Sequence, residues 1–351
     1  MTNAKVDASS VDPHPDASQG PAKFSEPAVG EGWVASRYED VQKVLADDHF
    51  EVLAVLDTGA VGTISWLRAS VSRFVNGAEH ERRRADLVEQ LQLLDPDELR
   101  RAAGQGTRAA LTSSRSGDRI DVMAGLARRV PMASMARSFE TADPEDAAKA
   151  VTVTAAGYFP GSAPEAQRAA DAATARLVGI FAPAGLDVAV ARISLMVQAC
   201  DATAALIGRA LHVLQDGPDA ATDWPTDALL AEVLRHSPPN RAIRRVARQP
   251  IELGGCRVSV GDAVTCNIEA ANRDPAVFER PAHFDPTRDS RPVLTFGYGL
   301  RPCPGQLQAL ALAAGVVDTI RQLCTLLPGE PVDYGPSGAL RIPQQLDVVL
   351  R

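Results

Sequence analysis

The sequence predicts a mainly α-helical protein with a smaller β region, an α+β fold. Segments between 79 and 215 are rich in Ala, Arg and Leu and carry apolar residues at helical spacing. Short strand-forming runs with glycine turns follow between 244 and 270, and one more apolar helix begins after residue 306. The expected order is therefore a helical body, a mixed sheet region and a last core helix.

Local signals place the main elements along the chain. A short strand at 33–38 (WVASRY) leads into a helix at 39–47 (EDVQKVLAD). The segment 186–215 is apolar nearly all round, which predicts a long helix running through the core. The helix at 224–236 ends before two prolines, and the glycine pair at 254–255 provides a turn between strands.

Composition excludes several classes of function. Of the 351 residues, 45% are hydrophobic and 23% are charged, which is typical of a globular protein in water. The 36 basic and 44 acidic residues give a net charge of -8, which argues against nucleic-acid and anionic-membrane partners. No continuous run of eighteen apolar residues exists, so no membrane span is expected.

Both the N-terminus and the cysteines indicate a cytoplasmic protein. The first 22 residues are rich in Ser, Asp and Pro, so we expect a disordered tail; they lack the apolar core of a signal peptide. The five cysteines show no CxxC pair, which favours reduced thiols in a cytoplasm. The length allows two or three domains, but no repeat and no linker separates them.

A loop at 296–305 places one cysteine between two prolines, immediately before a helix. Gly297, Gly299 and Gly305 permit close backbone approach or a positive φ. The Cys303 thiol lies beside a helix N-terminus, where the helix dipole favours the thiolate. From the residues alone, Cys303 is a metal or haem ligand, a nucleophile or a buried structural cysteine.

This loop resembles the haem-binding loop of the cytochrome P450 family, whose pattern is Phe-x-x-Gly-x-His/Arg-x-Cys-x-Gly. Every position of the pattern is filled, by Phe296, Gly299, Arg301, Cys303 and Gly305. The resemblance implies that Cys303 is the thiolate ligand of the iron of haem b (iron protoporphyrin IX), which favours O–O cleavage. It further implies that Phe296 packs beside the thiolate and that Arg301 pairs with a haem propionate.

Other motifs follow the order of the same family. His80 and Arg84 lie four apart on a predicted helix, and the resemblance implies that they and Arg245 bind the haem propionates. Glu232 and Arg235 resemble a buried Glu-x-x-Arg pair that fixes the meander before the cysteine loop. The third member of that network is usually an arginine, and His283 takes the matching position here.

The central helix departs from the family at the catalytic position. The candidate catalytic residues are Asp201, Ala202 and Thr203, of which Ala202 replaces the family's proton-relay threonine. A methyl group cannot donate a proton, so protons would come through Asp201, ordered water or a group on the substrate. Two alternatives stay open: Thr203 is the relay residue in another register, or the reaction does not need ordinary oxygen activation.

The chain is also short for this family. The family's first helix and part of the region before the central helix are missing, which predicts a thin or open roof over the substrate. The candidate pocket residues are Leu56, Ile64, Trp66, Tyr158, Phe159, Met196, Ala199 and Ile243. For the side chains outside the central helix, ordinary core packing is the stronger interpretation.

The resemblance therefore implies one haem-thiolate domain at 23–351. The leading hypothesis is a monooxygenase that tailors a small natural-product intermediate, free or bound to a carrier. Electrons would come from a ferredoxin and its reductase, with Arg241, Arg244 and Arg248 as docking residues. The alternatives are a haem enzyme with non-hydroxylating chemistry (ring formation, coupling, rearrangement or peroxide-dependent oxidation) and a non-catalytic haem-binding or recruitment protein.

Overall fold

The computed structural model describes residues 32–55, 58–216, 223–289, 292–327, 332–334 and 340–351. The tail expected to be disordered at 1–22 and the pocket candidate Leu56 lie outside these residues. Within them, helices dominate and the strands form small sheets, which confirms the predicted α+β fold.

The described part of the chain contains twelve α-helices. They are α1 (Tyr38–Ala46), α2 (Ile64–Ser70), α3 (Gly77–Leu91), α4 (Pro96–Leu111), α5 (Val122–Gly125), α6 (Arg129–Ser138), α7 (Pro144–Gly157), α8 (Pro164–Phe181), α9 (Leu186–Asp216), α10 (Thr226–His236), α11 (Ile268–Ala271) and α12 (Gln306–Leu323). Several begin as their sequences predict: Pro occupies the first turn of α4 and α7, and the preceding aspartates cap the helix N-termini.

Nine short strands form three sheets in the same residues. They are β1 (Trp33–Ala35), β2 (Phe50–Glu51), β3 (Arg119–Asp121), β4 (Ala242–Ala247), β5 (Ile251–Leu253), β6 (Cys256–Val258), β7 (Ala263–Asn267), β8 (Cys324–Leu326) and β9 (Asp347–Leu350). The largest sheet has the order β1-β7-β4-β2, with β1 parallel to β7 and the other pairs antiparallel. The other sheets are β3-β9-β8 and the hairpin β5-β6.

The long helix α9 runs through the main core, as its apolar sequence predicts. It contacts α3, α7, α8 and α12, and most of its residues are buried. By length and mean hydropathy α9 would be able to cross a membrane, although it contains no continuous run of eighteen apolar residues. Since 67% of its most apolar window is buried inside the fold, the helix is apolar because it is the core helix.

The connection between α8 and α9 is as short as the sequence indicates. A single turn at Ala182–Ala184 and Gly185, with φ +108°, separates the two helices. Helix α12 leaves the cysteine loop and packs against α4 at Gly315, where a Cβ would lie 2.2 Å from the Arg100 carbonyl oxygen. This close contact holds the helix that follows Cys303 against the helical body.

Candidate functional site

The cysteine loop has a fixed backbone conformation. The backbone N–H of Cys303 donates to the Phe296 carbonyl at 2.6 Å, which closes the loop. Gly297 and Gly299 have φ +78° and +64°, as expected from their positions. A Cβ on Gly299 would lie 2.4 Å from the Cα of Ala46, so the loop also packs too closely on α1 for any side chain there.

Gly305 differs from that expectation. Its φ is -94°, and the nearest protein atom to a Cβ there would be 3.8 Å away, so packing does not require a glycine. Instead its backbone N–H hydrogen-bonds the Cys303 thiol. Gly305 is the N-cap of α12. Through this hydrogen bond the N-terminus of the helix favours the Cys303 thiolate, as the sequence predicted.

The Cys303 side chain is exposed, which removes the alternative of a buried structural cysteine. Protein packed around the thiol raises its pKa by desolvation, while the Gly305 N–H, Arg84 and Arg73 lower it. A thiolate would therefore be stabilised most by a positive charge placed directly on the sulfur, as a metal ion provides.

Arg301 links the cysteine loop to the segment before α3. Its Nη2 donates to the Val75 carbonyl at 2.8 Å and to Asn76 Oδ1 at 2.9 Å. Its Nη1 is buried without a hydrogen-bond partner in the described residues. Burial, with help from the nearby Arg245 and Arg84, lowers the pKa of Arg301 to about 10.

His80 and Arg84 share one face of α3, as their spacing predicts. His80 is buried, and its Nδ1 lies 2.9 Å from the Ser72 carbonyl, which makes that nitrogen the donor. Its Nε2 is buried and has no partner among the described residues. Arg84 Nη2 donates to the Pro302 carbonyl at 2.6 Å and so reaches the residue next to Cys303.

Arg245 lies on β4 with only 8% of its surface exposed. Its Nη1 donates to the carbonyl of its neighbour Arg244 at 2.9 Å, and no acidic residue of the described chain pairs with it. Burial and the charge of Arg73 lower the pKa of Arg245. A buried cation in this position requires an anion that the described residues do not provide.

These cations and the thiol fit a haem group. Arg84, Arg245 and Arg301 act on one another or on Cys303 as neighbouring charges, and the unpartnered His80 Nε2 lies among them. Haem carries two carboxylates, which would neutralise this cluster and accept its free donors, and an iron that the exposed thiol would ligate. The residues present therefore hold such a group at both its metal and its edge.

Glu232 and Arg235 form a fully buried ion pair on α10. Arg235 Nε and Nη2 donate to the two carboxylate oxygens at 2.8 and 2.6 Å, with side-chain exposures of 2% and 5%. The guanidinium also donates to the carbonyls of Asn272, Pro281 and His283, at 2.8–3.2 Å. The pair thereby fixes the meander, as the resemblance implied.

The third member of this network is Arg288, and the expectation for His283 was wrong. Arg288 Nε lies 3.7 Å from Glu232 Oε1, and its Nη2 donates to the His283 carbonyl at 3.1 Å. His283 joins only through that carbonyl, and its residue is exposed. The meander folds back on itself between these positions, so the arginine five residues later reaches the carboxylate.

The central helix places the three catalytic candidates in different surroundings. Asp201 is half-buried and accepts a hydrogen bond from Arg128 Nε at 2.7 Å, just before α6. Ala202 is half-buried with Ala199, three residues earlier on the same face. Thr203 is buried at 1% exposure, and its hydroxyl has no partner in the described chain.

The pocket candidates separate into core and accessible residues. Ile64 and Met196 are buried at 2% and 0% in the main core, which favours the core interpretation for both. Ile243 is half-buried and packs on a second core under the largest sheet. Trp66 lines a cavity of about 220 Å³ between α2, α3 and the start of α9.

Tyr158 and Phe159 directly follow α7 and contact the segment that contains Arg73 and Phe74. Tyr158 is 1% exposed with an unpartnered hydroxyl, whereas Phe159 is 42% exposed. The sequence analysis missed Arg73, whose Cζ lies 5.2 Å from the Phe159 ring centroid. It also missed Arg128, because nothing in its sequence context links it to Asp201, 73 residues away.

Fold and site together fit a haem-thiolate protein. One exposed cysteine lies at a glycine-rich loop before a helix, a buried Glu–Arg pair fixes the preceding meander, and unpaired cations surround the thiol. None of these features alone is specific for haem-thiolate proteins, but their combination in this order along the chain is.

Comparison with known proteins agrees. Residues 225–314 match the family model "Cytochrome P450". The biotin biosynthesis cytochrome P450 of Bacillus subtilis is 37% identical over 91 residues, 26% of this chain and 23% of that protein. The 6-deoxyerythronolide B hydroxylase of Saccharopolyspora erythraea is 35% identical over 117 residues, 32% of this chain and 29% of that protein. Residues 225–314 therefore carry the sequence pattern of the cytochrome P450 family.

The fold agrees over a longer span than the sequence. The crystal structure of P450BioI in complex with hexadec-9Z-enoic acid ligated acyl carrier protein has a TM-score of 0.79 at 20% identity, and the match covers 95% of this chain and 96% of that chain. By sequence, each of the two curated relatives is matched over less than a third of its own length. The residues matched by the family model, 225–314, contain the Glu–Arg pair, the meander and the cysteine loop.

Proposed function

We propose that this protein is a cytochrome P450 monooxygenase that oxidises a small natural-product intermediate. The observation that carries the proposal is the exposed Cys303 thiol surrounded by Arg84, Arg245 and Arg301, none of which has an acidic partner among the described residues. We take the cofactor to be haem b, because its two propionates match this cation cluster. When bound, the haem would supply oxidising chemistry at an iron held by the Cys303 thiolate.

The chain's own residues then have separate tasks. Arg301 Nη1 and His80 Nε2 are buried donors without a partner in the described residues. Each would donate a hydrogen bond to a propionate. The Gly305 N–H stays on the sulfur and moderates its charge. The Glu232–Arg235 pair keeps the meander, and therefore the start of the cysteine loop, in one position.

Proton delivery would involve Asp201 rather than a hydroxyl at position 202. The Asp201 carboxylate accepts a hydrogen bond from Arg128 at 2.7 Å, which orients it. Rotation away from Arg128 would free Asp201 Oδ1 to pass a proton to ordered water or to a polar group on the substrate. The neighbouring Ala202 leaves room for such a water or group, because its side chain ends at Cβ.

A ferredoxin is the electron donor that we propose, and the surface around the cysteine loop suits one. Tyr298, Leu300 and Leu307 are exposed at 40%, 53% and 64%, and Arg84 adds a positive charge beside them. Two of the arginines expected to dock the donor are already paired, Arg241 with Glu269 and Arg248 with Glu51. The docking charge therefore falls to Arg244, which is exposed.

The substrate class rests on the relatives. One relative is named as a 6-deoxyerythronolide B hydroxylase, and a structural neighbour was crystallised with a fatty acid ligated to an acyl carrier protein. We therefore propose a small natural-product intermediate, free or attached to a carrier, in a cytoplasmic pathway.

Isotope-labelled dioxygen tests the reaction. Compounds that shift the ferric Soret band would be incubated with the holoenzyme, a ferredoxin, its reductase and NADPH. One labelled oxygen atom in the product, and no product without dioxygen or reductant, supports a monooxygenase. Turnover that continues unchanged without either would contradict it and would support the second candidate.

That second candidate is a P450-fold enzyme of non-hydroxylating chemistry, such as ring formation, coupling or peroxide-dependent oxidation. Ala202 favours it, since the half-buried methyl replaces the family's proton donor. Full turnover with peroxide, together with no turnover on dioxygen and reductase, would identify peroxide-dependent oxidation rather than the first candidate.

A further inference from the structure

We propose that Arg73 and Tyr158 form an anion-binding site that takes a carboxylate of the substrate. This inference rests on the proposed function, since the substrate would reach the haem beside this site. It adds a chemical class to that function: the preferred substrate carries a carboxylate at one end and is oxidised elsewhere.

Arg73 lies in a short segment that forms one wall of the cysteine site. The neighbours of Arg73 are tied to haem-site residues: Ser72 accepts from His80, and Val75 and Asn76 accept from Arg301. Arg73 itself is exposed, and in the described chain its guanidinium makes no hydrogen bond or ion pair. Its charge nevertheless acts on the Cys303 thiol and on Arg245, so it lies near both.

Aromatic rings hold the Arg73 guanidinium in place. Its Cζ lies 5.2 Å from the ring centroid of Phe159 and 5.9 Å from that of Phe74. Such cation–π contacts orient a guanidinium group. They leave its N–H groups, which point outward in the plane of the guanidinium, free to bind an anion. The charge is therefore positioned without being neutralised.

Tyr158 provides a second donor with no acceptor in the protein. Its ring packs on Phe74 at 5.5 Å and on Phe159 at 5.6 Å, the same two rings that hold Arg73. Its hydroxyl is buried and unpartnered, and burial raises its pKa, while Arg73 and Arg68 lower it. The hydroxyl thus stays protonated and can donate to the anion that Arg73 binds.

Arg68 keeps this arrangement rigid. It donates to the carbonyls of Tyr158 at 2.7 Å and of Phe159 at 3.0 Å, which ties the end of α7 to α2. The Phe159 ring therefore keeps its position over Arg73, with the Tyr158 ring packed against it. A binding site whose donors are fixed before the ligand arrives loses less entropy on binding.

A haem propionate is the other carboxylate that could occupy this site. The two propionates would face His80, Arg84, Arg245 and Arg301. Tyr158 and Phe159 follow α7, a different element from those that carry the four cations. The carboxylate at Arg73 is therefore assigned to the substrate, and the test separates the two sources.

The test uses carboxylic acids paired with their primary amides, which have nearly the same shape. A panel of aliphatic and aromatic acids would be titrated into the ferric holoenzyme, with the Soret shift as the readout. We expect at least one acid to bind about tenfold or more tightly than its amide, because a charge-assisted hydrogen bond contributes that much. Arg73→Gln should abolish the preference and Tyr158→Phe should weaken it, while Arg101→Gln, at an exposed arginine on α4, should not change it.

Three results would overturn the assignment. One is the absence of any acid preference across the panel, including no binding at all. Another is a preference that persists in Arg73→Gln. The third is loss of haem from Arg73→Gln during purification, which would assign the site to a propionate.

Failure of the proposed function would give a different result. The absorption spectrum of the reduced, carbon monoxide-bound wild type would then lack the band of a thiolate-ligated haem. Tyr158→Phe should keep the wild-type melting temperature, since it removes a hydroxyl that has no partner.

Discussion

Arg235 and Glu232 form a buried two-bond ion pair on which the meander before the cysteine loop depends. Their hydrogen bonds are 2.6 and 2.8 Å long, and the remaining donors of Arg235 hold three meander carbonyls. We predict that Glu232→Gln lowers the free energy of unfolding by about 3–5 kcal/mol, because it leaves a buried arginine without its charge partner. Chemical denaturation of both proteins measures this.

Glu165→Gln is the matched control. Glu165 pairs with Arg168 on the surface at 3.0 Å, where both side chains are more than two thirds exposed. This variant should change stability by less than about 1 kcal/mol. Equal effects at Glu232 and Glu165 would show that the buried pair does not hold the meander.

Haem retention should depend on the cations that lack acidic partners. We predict that Arg245→Gln and Arg301→Gln each release haem about ten to a hundred times faster, since each removes a charged donor from a propionate. Transfer of haem to apomyoglobin gives the rate. Arg82→Gln serves as the control, because Arg82 is exposed and paired with Glu79 and Asp86 on α3. Unchanged rates in the Arg245 and Arg301 variants would remove the propionate assignment.

His236 makes stability depend on pH. Burial, together with Arg273 and Arg235, lowers its pKa from 6.5 to about 3. Below pH 6.5 the unfolded chain binds a proton at His236 that the folded protein does not bind until near pH 3. The free energy of unfolding should therefore fall with falling pH, by up to about 1.4 kcal/mol per pH unit.

The window between pH 6.5 and 5 separates this effect from the titration of carboxyl groups. In that window His236→Gln should show a shallower dependence than the wild type, by urea denaturation at several pH values. The same slope in both proteins would place the responsible protons on other groups.

Ala202→Thr tests the proton route. If Asp201, water or the substrate delivers protons, a threonine at this position adds nothing that is required, and turnover should stay within about threefold of wild type. The ratio of product to NADPH consumed measures this coupling. A large drop in coupling would instead show that the space beside Ala202 is itself needed, and a large gain would show that the missing hydroxyl limits the enzyme.

Features that depend on residues close in sequence were predictable. The cysteine loop carries its own turn signals, and Gly297 and Gly299 have the positive φ expected of them. The spacing of His80 and Arg84 on one helix, and of Glu232 and Arg235 on another, placed each pair on one face. The stretch that became α9 is apolar on nearly all its faces, which indicated that it would be the core helix.

Features that depend on how distant segments meet were not predictable. Arg288 reaches Glu232 because the meander folds back, and a position-by-position comparison selected His283 instead. Arg128 meets Asp201, and Arg73 meets Phe159, across gaps of 73 and 86 positions that no period or motif connects. Ile64 and Met196 are apolar, as residues of a substrate pocket often are, and only their burial in the folded chain shows that they lie in the core.

The absorption spectrum of the reduced, carbon monoxide-bound protein tests the central claim most directly. The account predicts the strongly red-shifted band of a haem with a thiolate ligand in the wild type, and its loss in Cys303→Ala. Cys256→Ala, at a half-buried cysteine on β6, should keep the band. A wild-type spectrum without that band, or a Cys303→Ala spectrum that retains it, would contradict the assignment of Cys303 as the iron ligand.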